Sequence, residues 1–337
     1  MFFCDPPGHT GPEHLFNLGR DDIIETDYVF FHDQEPVDSD LYHSLFSDVL
    51  RRNHDIKSCP QGHVIVSERG ENVEKLCEKY GWTSHYYFYN GWACQDWFRG
   101  YDRAFLIPRA QDRAPTQTFM SPNRIVAGKR DHRVLFLYNV FKHGLEHNHI
   151  SAPRICQYEN TDITIVAQKY NNVYPDITSV LDDAQLPKLF SGEEKQLMTS
   201  CWLSNFAEAQ DSLFYVPTET IYFGRRTHLT EKTFKAIALE MPFIMVAPAG
   251  SLEYLREYGF QTFEGIIDES YDTETNDIQR IERVTTVLKD IDNLSVKERQ
   301  QLHRACLPVV QHNYNHFYHG TFTDILWREL LTMINGL

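Results

Sequence analysis

Thr230, Glu231 and Lys232 form a tripeptide suited to opening a helix and meeting an anion there. Thr is a favoured N-cap, so the helix begins at Glu231. Its first peptide N–H groups lack intrahelical partners, and the helix dipole is positive at that end. Lys232 adds a full charge, and Arg225 or Arg226, in the polar loop upstream, adds a bidentate contact. Together these groups suit a diphosphate, and neutralising its charge is what its departure as a leaving group requires. Glu219 and Glu231 are poor neighbours for phosphate and good acceptors for ribose or sugar hydroxyls.

Asp33 and Glu35 directly follow an apolar run, Tyr28–Phe31, so they sit at the carboxyl end of an expected strand. Either carboxylate can serve as a general base, and Glu35 is the preferred one. Asp38-Ser39-Asp40 is a D-x-D that reads as a helix start, or alternatively as a divalent-metal ligand pair. His143-Gly144-Leu145-Glu146-His147 has the H-x-x-E-H spacing of one zinc-protease group. That chemistry needs both histidines on one helical face, and Gly144 ends the expected helix. His312, His316 and His319 interleave with Tyr314, Phe317 and Tyr318 and read as a packed aromatic surface.

Apolar runs bounded by turn residues predict strands at 28–31, 64–66, 86–89, 104–107, 163–166, 213–216 and 243–246. Helical periodicity is expected over 39–52, 70–80, 133–142, 231–240, 251–258, 274–291, 296–311 and 320–335. Strands alternating with helices imply α/β layers with parallel sheets. In such sheets, ligands bind at the carboxyl ends of the strands, which is where Thr230–Lys232 falls. Pro108, Pro115 and Pro122 punctuate an aperiodic stretch, 108–123, expected to be an interdomain linker. The expected domains are 1–120 on the acceptor side, 121–318 for the nucleotide, and a final segment, 319–337, packing back on the first.

At 337 residues the chain is long enough for two cores. No apolar run approaches the eighteen or so residues of a membrane span, and the N-terminus lacks a secretory pattern. Seven scattered cysteines without a C-x-x-C pair fit reduced thiols, so a cytoplasmic location is expected, in host cytoplasm if the chain is phage-encoded. The net charge is −15, but residues 99–133 carry eight Arg and Lys against three Asp, a local +5. This basic island suits a polyanion. The aromatic run 86–101 leads into it, and Trp92, Trp97, Arg99, Tyr101 and Arg103 are the candidate acceptor-binding residues.

The run Thr230–Ile244, TEKTFKAIALEMPFI, resembles the nucleotide-sugar motif of the α-1,3-fucosyltransferases, in which a T-E-K segment opens a helix leading to a buried strand. Lys129-Arg130-Asp131-His132-Arg133, before an apolar helix, is similar to that family's diphosphate-binding H-R element. The likeness extends to bacteriophage and bacterial glycosyltransferase-like proteins at Asp33-Gln34-Glu35-Pro36 and at Gly91-Trp92 through Trp97–Tyr101. It covers 125–270 at the level of motifs, and the N-terminal half departs from the fucosyltransferases. The resemblance implies a GT-B fold, two Rossmann-like α/β domains facing a cleft. It implies a nucleotide-diphosphate sugar as donor, a UDP- or GDP-sugar, and no obligatory metal or other cofactor. It makes Arg133, Glu231 and Lys232 donor contacts. The wider donor set is Lys129, Arg133, Glu219, Arg225, Arg226, Thr230, Glu231 and Lys232. The expected activity is sugar transfer to an acceptor hydroxyl, on a glycan or on a hydroxymethylated base in phage DNA. Two alternatives stand beside it: a non-catalytic nucleotide or nucleic-acid-binding module, and a metal-dependent GT-A-like transferase using Asp38 and Asp40.

Overall fold

The computed structural model describes residues 2–4, 28–32, 36–37, 62–98, 107–156, 159–193 and 202–335. The chain forms two compact units. The first comprises 1–93, 225–228 and 323–337, and the second comprises 94–224 and 229–322.

The first unit begins with β1 (Phe2–Cys4), β2 (Tyr28–His32), β3 (Gly62–Val66) and β4 (Arg69–Gly70). Helix α1 (Glu71–Tyr80), β5 (Thr83–Tyr86) and the start of α2 (Tyr89–Phe98) follow. Strands β1, β2, β3 and β5 make a four-stranded sheet in that order, parallel at every pairing. Val73, Leu76 and Cys77 recur at helical spacing and give α1 its buried face. Gly81 stops α1 with φ +66, and the N–H of Trp82 returns to the carbonyl of Cys77 at 2.9 Å. That turn reverses the chain into β5. Tyr86–Tyr89 is therefore not one strand: β5 ends at Tyr86, and Tyr89 already opens α2.

The second unit contains β6 (Gln117–Ser121), α3 (His132–Lys142), β7 (His149–Ile150), β8 (Ile155–Cys156) and β9 (Thr161–Asp162). It continues through α4 (Ile163–Ala167), α5 (Ile177–Asp183), α6 (Phe206–Asp211) and β10 (Ser212–Tyr215). The short strand β11 (Arg226–Thr227) belongs to the first unit, where it pairs antiparallel with β4. The second unit resumes with α7 (Glu231–Ala238), α8 (Ser251–Glu257), α9 (Asp277–Asp292) and α10 (Val296–Tyr318). The chain ends in α11 (Thr321–Asn335), whose residues from Thr323 onward are in the first unit. There Met333 packs with Ile65 and Tyr87, and Glu329 accepts the N–H of Phe88 at 2.8 Å.

The sheet of the second unit is parallel, in the order β10-β6-β7. Residues 243–246 extend it past β10: Ile244 N–H donates to Tyr215 O at 3.1 Å, and Val246 N–H to Pro217 O at 2.9 Å. In chain order the four segments lie 4-3-1-2. The connection after β6 leads to one side and the connection after β7 crosses to the other, so the strand order reverses between β6 and β10.

Three further expectations change. The stretch 108–123 is not a linker, because it contains β6, an inner strand of this sheet, with Phe119 and Met120 fully buried. Residues 163–166 form α4 rather than a strand. Asp162 accepts the N–H of Thr164 at 2.8 Å, and this cap with the buried contacts of Ile163 and Val166 overrides the β-branched composition. Helix α10 runs to Tyr318, well beyond 311, carrying Pro308 inside it. Among the described residues no helix is long and apolar enough to cross a membrane. The expected helix over 39–52 lies outside the described residues, as do residues 104–106 of the expected 104–107 strand.

Candidate functional site

The strand order reverses between β6 and β10, and in a parallel sheet the carboxyl ends at such a reversal are the usual ligand position. Short polar side chains line these strand ends. Ser121 Oγ donates to Val216 O at 3.0 Å, Asn123 Nδ2 to Ser121 Oγ at 3.0 Å, and Thr218 Oγ1 to Asn123 Oδ1 at 2.9 Å.

Arg133 enters from the first turn of α3. Its guanidinium donates to Ile125 O at 2.9 Å and to Thr218 O at 2.7 Å, while its Nε is buried without a partner. Burial, with the charge of Arg130 nearby, pulls it down to about 9. It remains cationic at neutral pH, fixed beneath the loop leaving β10. His132 Nε2 donates to Glu219 O at 3.1 Å, and its ring stacks on Tyr222 with centroids 5.1 Å apart. Burial holds that imidazole well below its usual range, and the adjacent Arg133 adds to the effect. Arg280 also lies over Tyr222, its guanidinium carbon 4.3 Å from the ring centroid.

Glu219 is fully buried and serves α7 directly. Its carboxylate accepts the N–H of Thr230 at 3.3 Å, the Thr230 hydroxyl at 2.5 Å and the Thr233 hydroxyl at 2.6 Å. Thr230 is the N-cap residue as expected, but its side chain makes no capping bond; the Glu219 carboxylate instead anchors the helix start through Thr230 and Thr233. Lys232 Nζ reaches Thr220 Oγ1 at 3.0 Å and Glu231 Oε1 at 2.7 Å. Burial opposes the charge on Glu231, but Lys232 and Lys235 outweigh it and hold the carboxyl at about 2.

Of the expected donor residues, Arg133, Glu219, Thr230, Glu231 and Lys232 gather in the second unit, and Lys129 lies in the turn before α3. Arg225 and Arg226 belong to the first unit. Arg225 is exposed, whereas Arg226 forms an ion pair with Glu68, Nη2 to Oε2 at 2.8 Å. Trp92 stands edge-on to Trp327 at 4.9 Å in the first unit, and Trp97 is half-buried in the second. Asp33, Glu35, Asp38, Asp40, Arg99, Tyr101 and Arg103 lie outside the described residues. The backbone after Glu35 returns at Pro36–Val37, where the N–H of Val37 donates to Glu68 Oε2 at 2.7 Å.

The basic island is less open than its charge suggests. Arg109 pairs with Glu240 at 2.5 Å, and Arg113 donates to Leu239 O at 2.5 Å and to Pro108 O at 2.7 Å. Arg133 serves carbonyls, so three of the eight island cations hold the second unit together. The H-x-x-E-H stretch is split by the turn at Gly144, with φ +69. His312 and His316 donate to Gly259 O at 2.9 Å and Tyr258 O at 2.7 Å, tying α10 to the end of α8.

Sequence reasoning missed Asn123, Thr218 and Arg280. Asn123 and Thr218 signal nothing until strand order joins them, whereas an Arg inside an amphipathic helix, as Arg280 is, was a visible oddity. No protein-family model, curated protein or solved structure matches this chain.

Proposed function

We propose that the chain is a glycosyltransferase that moves a sugar from a nucleotide-diphosphate sugar to an acceptor hydroxyl, on a GT-B-like pair of α/β domains. The observation that carries this reading is the joining of Arg133 and Lys232 to one strand exit, Thr218–Thr220, at the carboxyl edge of a parallel sheet. Two cations there favour a diphosphate and its departure. Glu219 takes the Thr230 N–H, and the phosphate contacts fall to Lys232, to the charge of Arg133 and to the first-turn N–H groups of α7. Glu231, held ionised, is an acceptor for ribose or sugar hydroxyls. Asp33 or Glu35 is the base that deprotonates the acceptor.

A glycan hydroxyl fits the acceptor better than a base in DNA, because Arg109, Arg113 and Arg133 are spent on internal contacts. The remaining island charge is small beside a net −15.

The test is a thermal-shift screen with UDP, GDP and their sugars. A ligand at a hundred times its Kd stabilises a folded protein by about 2.7 kcal/mol. At least one nucleotide should raise the melting temperature, and the corresponding sugar nucleotide should be hydrolysed or transferred in EDTA. A protein that none of them stabilises is not this enzyme. A protein stabilised but inert is a binding module, and activity lost in EDTA points to a metal-dependent transferase.

A further inference from the structure

His63 and His85 stand on neighbouring strands of the first unit, β3 and β5. The parallel register sets Ile65 opposite His85 and His63 opposite Thr83. Both histidines therefore share one face of the sheet and meet diagonally. His63 Nδ1 lies 2.8 Å from His85 Nε2, with ring centroids 5.0 Å apart. Both rings are half-buried, and among the described residues neither makes another hydrogen bond.

A histidine that serves structure sends a ring nitrogen to a carbonyl or a carboxylate, as His149, His312 and His316 do. His63 and His85 face only each other. Of the two facing nitrogens, one carries a proton and the other a lone pair. Two imidazole nitrogens held by paired strands are a preformed chelate for a transition-metal ion. Metal–nitrogen bonds of about 2.0–2.1 Å place two ligands at a right angle about 2.9 Å apart, and a tetrahedral pair about 3.3 Å apart. The 2.8 Å found matches the right-angled pair. It favours Cu2+ or Ni2+, which take tetragonal sites, over Zn2+. On binding, the shared proton moves to the other nitrogen of its own ring, so both imidazoles stay neutral. Burial, with His63 beside it, lowers His85 and keeps it in the neutral, ligating form at neutral pH.

We propose that His63 and His85 form a two-imidazole site for a divalent transition-metal ion, with water completing the coordination. Among the described residues no third His, Cys, Asp or Glu joins them. There, too, β5 pairs only with β3, so the ion would clip an outer strand to its sheet. The pair belongs to the first unit, and the donor residues Arg133, Glu219 and Lys232 belong to the second. The ion is structural, and the site does not depend on the glycosyltransferase reading.

The experiment is calorimetric titration of CuCl2, NiCl2 and ZnCl2 into the full chain, cleared of metal beforehand, and into H63A, H85A and H312Q. Melting temperatures are recorded before and after loading. The natural chain should take up one Cu2+ or Ni2+ ion more tightly than Zn2+ and melt higher with it. Loss of a residue that merely supports a metal ligand costs about 10–100-fold in affinity, so H63A and H85A should each lose at least about tenfold. H63Q and H85Q, whose amides still bridge the strands, are read in place of an alanine variant that does not fold. The chain has 16 histidines, so these losses, and not uptake alone, identify the site. H312Q removes a ring from the pair His312 and His316, stacked at 5.8 Å, and should bind as the natural chain does. Absence of uptake by the natural chain overturns the proposal, as does natural affinity in either the His63 or the His85 variant. A loss in H312Q equal to theirs overturns it as well.

Discussion

Arg226 grips Glu68 with both sides of its guanidinium, Nη2 donating to Oε2 at 2.8 Å and Nε to Oε1. The same carboxylate accepts the Val37 N–H at 2.7 Å, and Arg226 Nη2 donates to Val37 O at 3.3 Å. One buried ion pair thus fixes the backbone at Val37, two positions after the candidate base Glu35, within the first unit.

Removing one partner of such a pair strands the other. Arg226→Ala should lower stability by about 3–5 kcal/mol, because Glu68 has no exposure to water. Arg225→Ala, one residue earlier and exposed, should stay within about 0.5 kcal/mol. Urea denaturation followed by circular dichroism checks the contrast. Equal midpoints for the two variants would show that the Glu68 pair does not hold the fold.

Glu219→Ala should be among the most damaging changes in the second unit. It leaves the Thr230 N–H and two hydroxyls without their acceptor in a site closed to solvent. Hydrogen bonds to a charged group contribute about 1.5–3 kcal/mol each, so the loss should reach about 3 kcal/mol or more. Glu219→Gln, which keeps one carbonyl oxygen, should fall between. The comparison is read from equilibrium unfolding without ligand.

Lys232→Ala is expected to fold, since Nζ is partly exposed and bonds mainly to Glu231, Thr220 and Thr230. Its effect should appear in ligand affinity. A lost charge-assisted contact of about 1.5–3 kcal/mol corresponds to a tenfold to hundredfold rise in Kd for the nucleotide. Unchanged affinity would place the phosphates elsewhere.

Stability should fall as pH drops below about 6.5, the pKa of an unfolded histidine. Burial holds His132 and His316 below that value in the folded state, so the unfolded chain binds protons first. The neutral form is therefore favoured by folding above that pH. The advantage is lost progressively as pH falls toward the lower folded pKa values. Melting temperatures from pH 7.5 down to 5 should decline, and His316→Gln, whose amide can still donate to Tyr258 O, should decline less steeply.

The amino-acid sequence by itself determined where most helices lie and what one crucial loop contains. Apolar spacing marks α1, α3, α7, α8 and α11, because a helix buries one stripe and the stripe is written locally. The Thr230-Glu231-Lys232 segment announced a helix start for the same reason: capping is a matter of neighbouring residues. Which group anchors that helix start was not local. Glu219 lies eleven positions before Thr230, and only the parallel run of β10 beside 243–246 brings its carboxylate under the helix. The burial of β6 inside a proline-punctuated stretch was equally invisible, since its hydrogen bonds go to β10 and β7, distant in the chain. So was the division of Arg226 from Lys232. A six-residue interval spans two compact units, and the partner that claims Arg226 is Glu68, more than a hundred and fifty residues away. Periodicity and capping are short-range properties and can be read along the chain. The pairing of a buried charge depends on which surfaces fold together, and only the tertiary structure decides that.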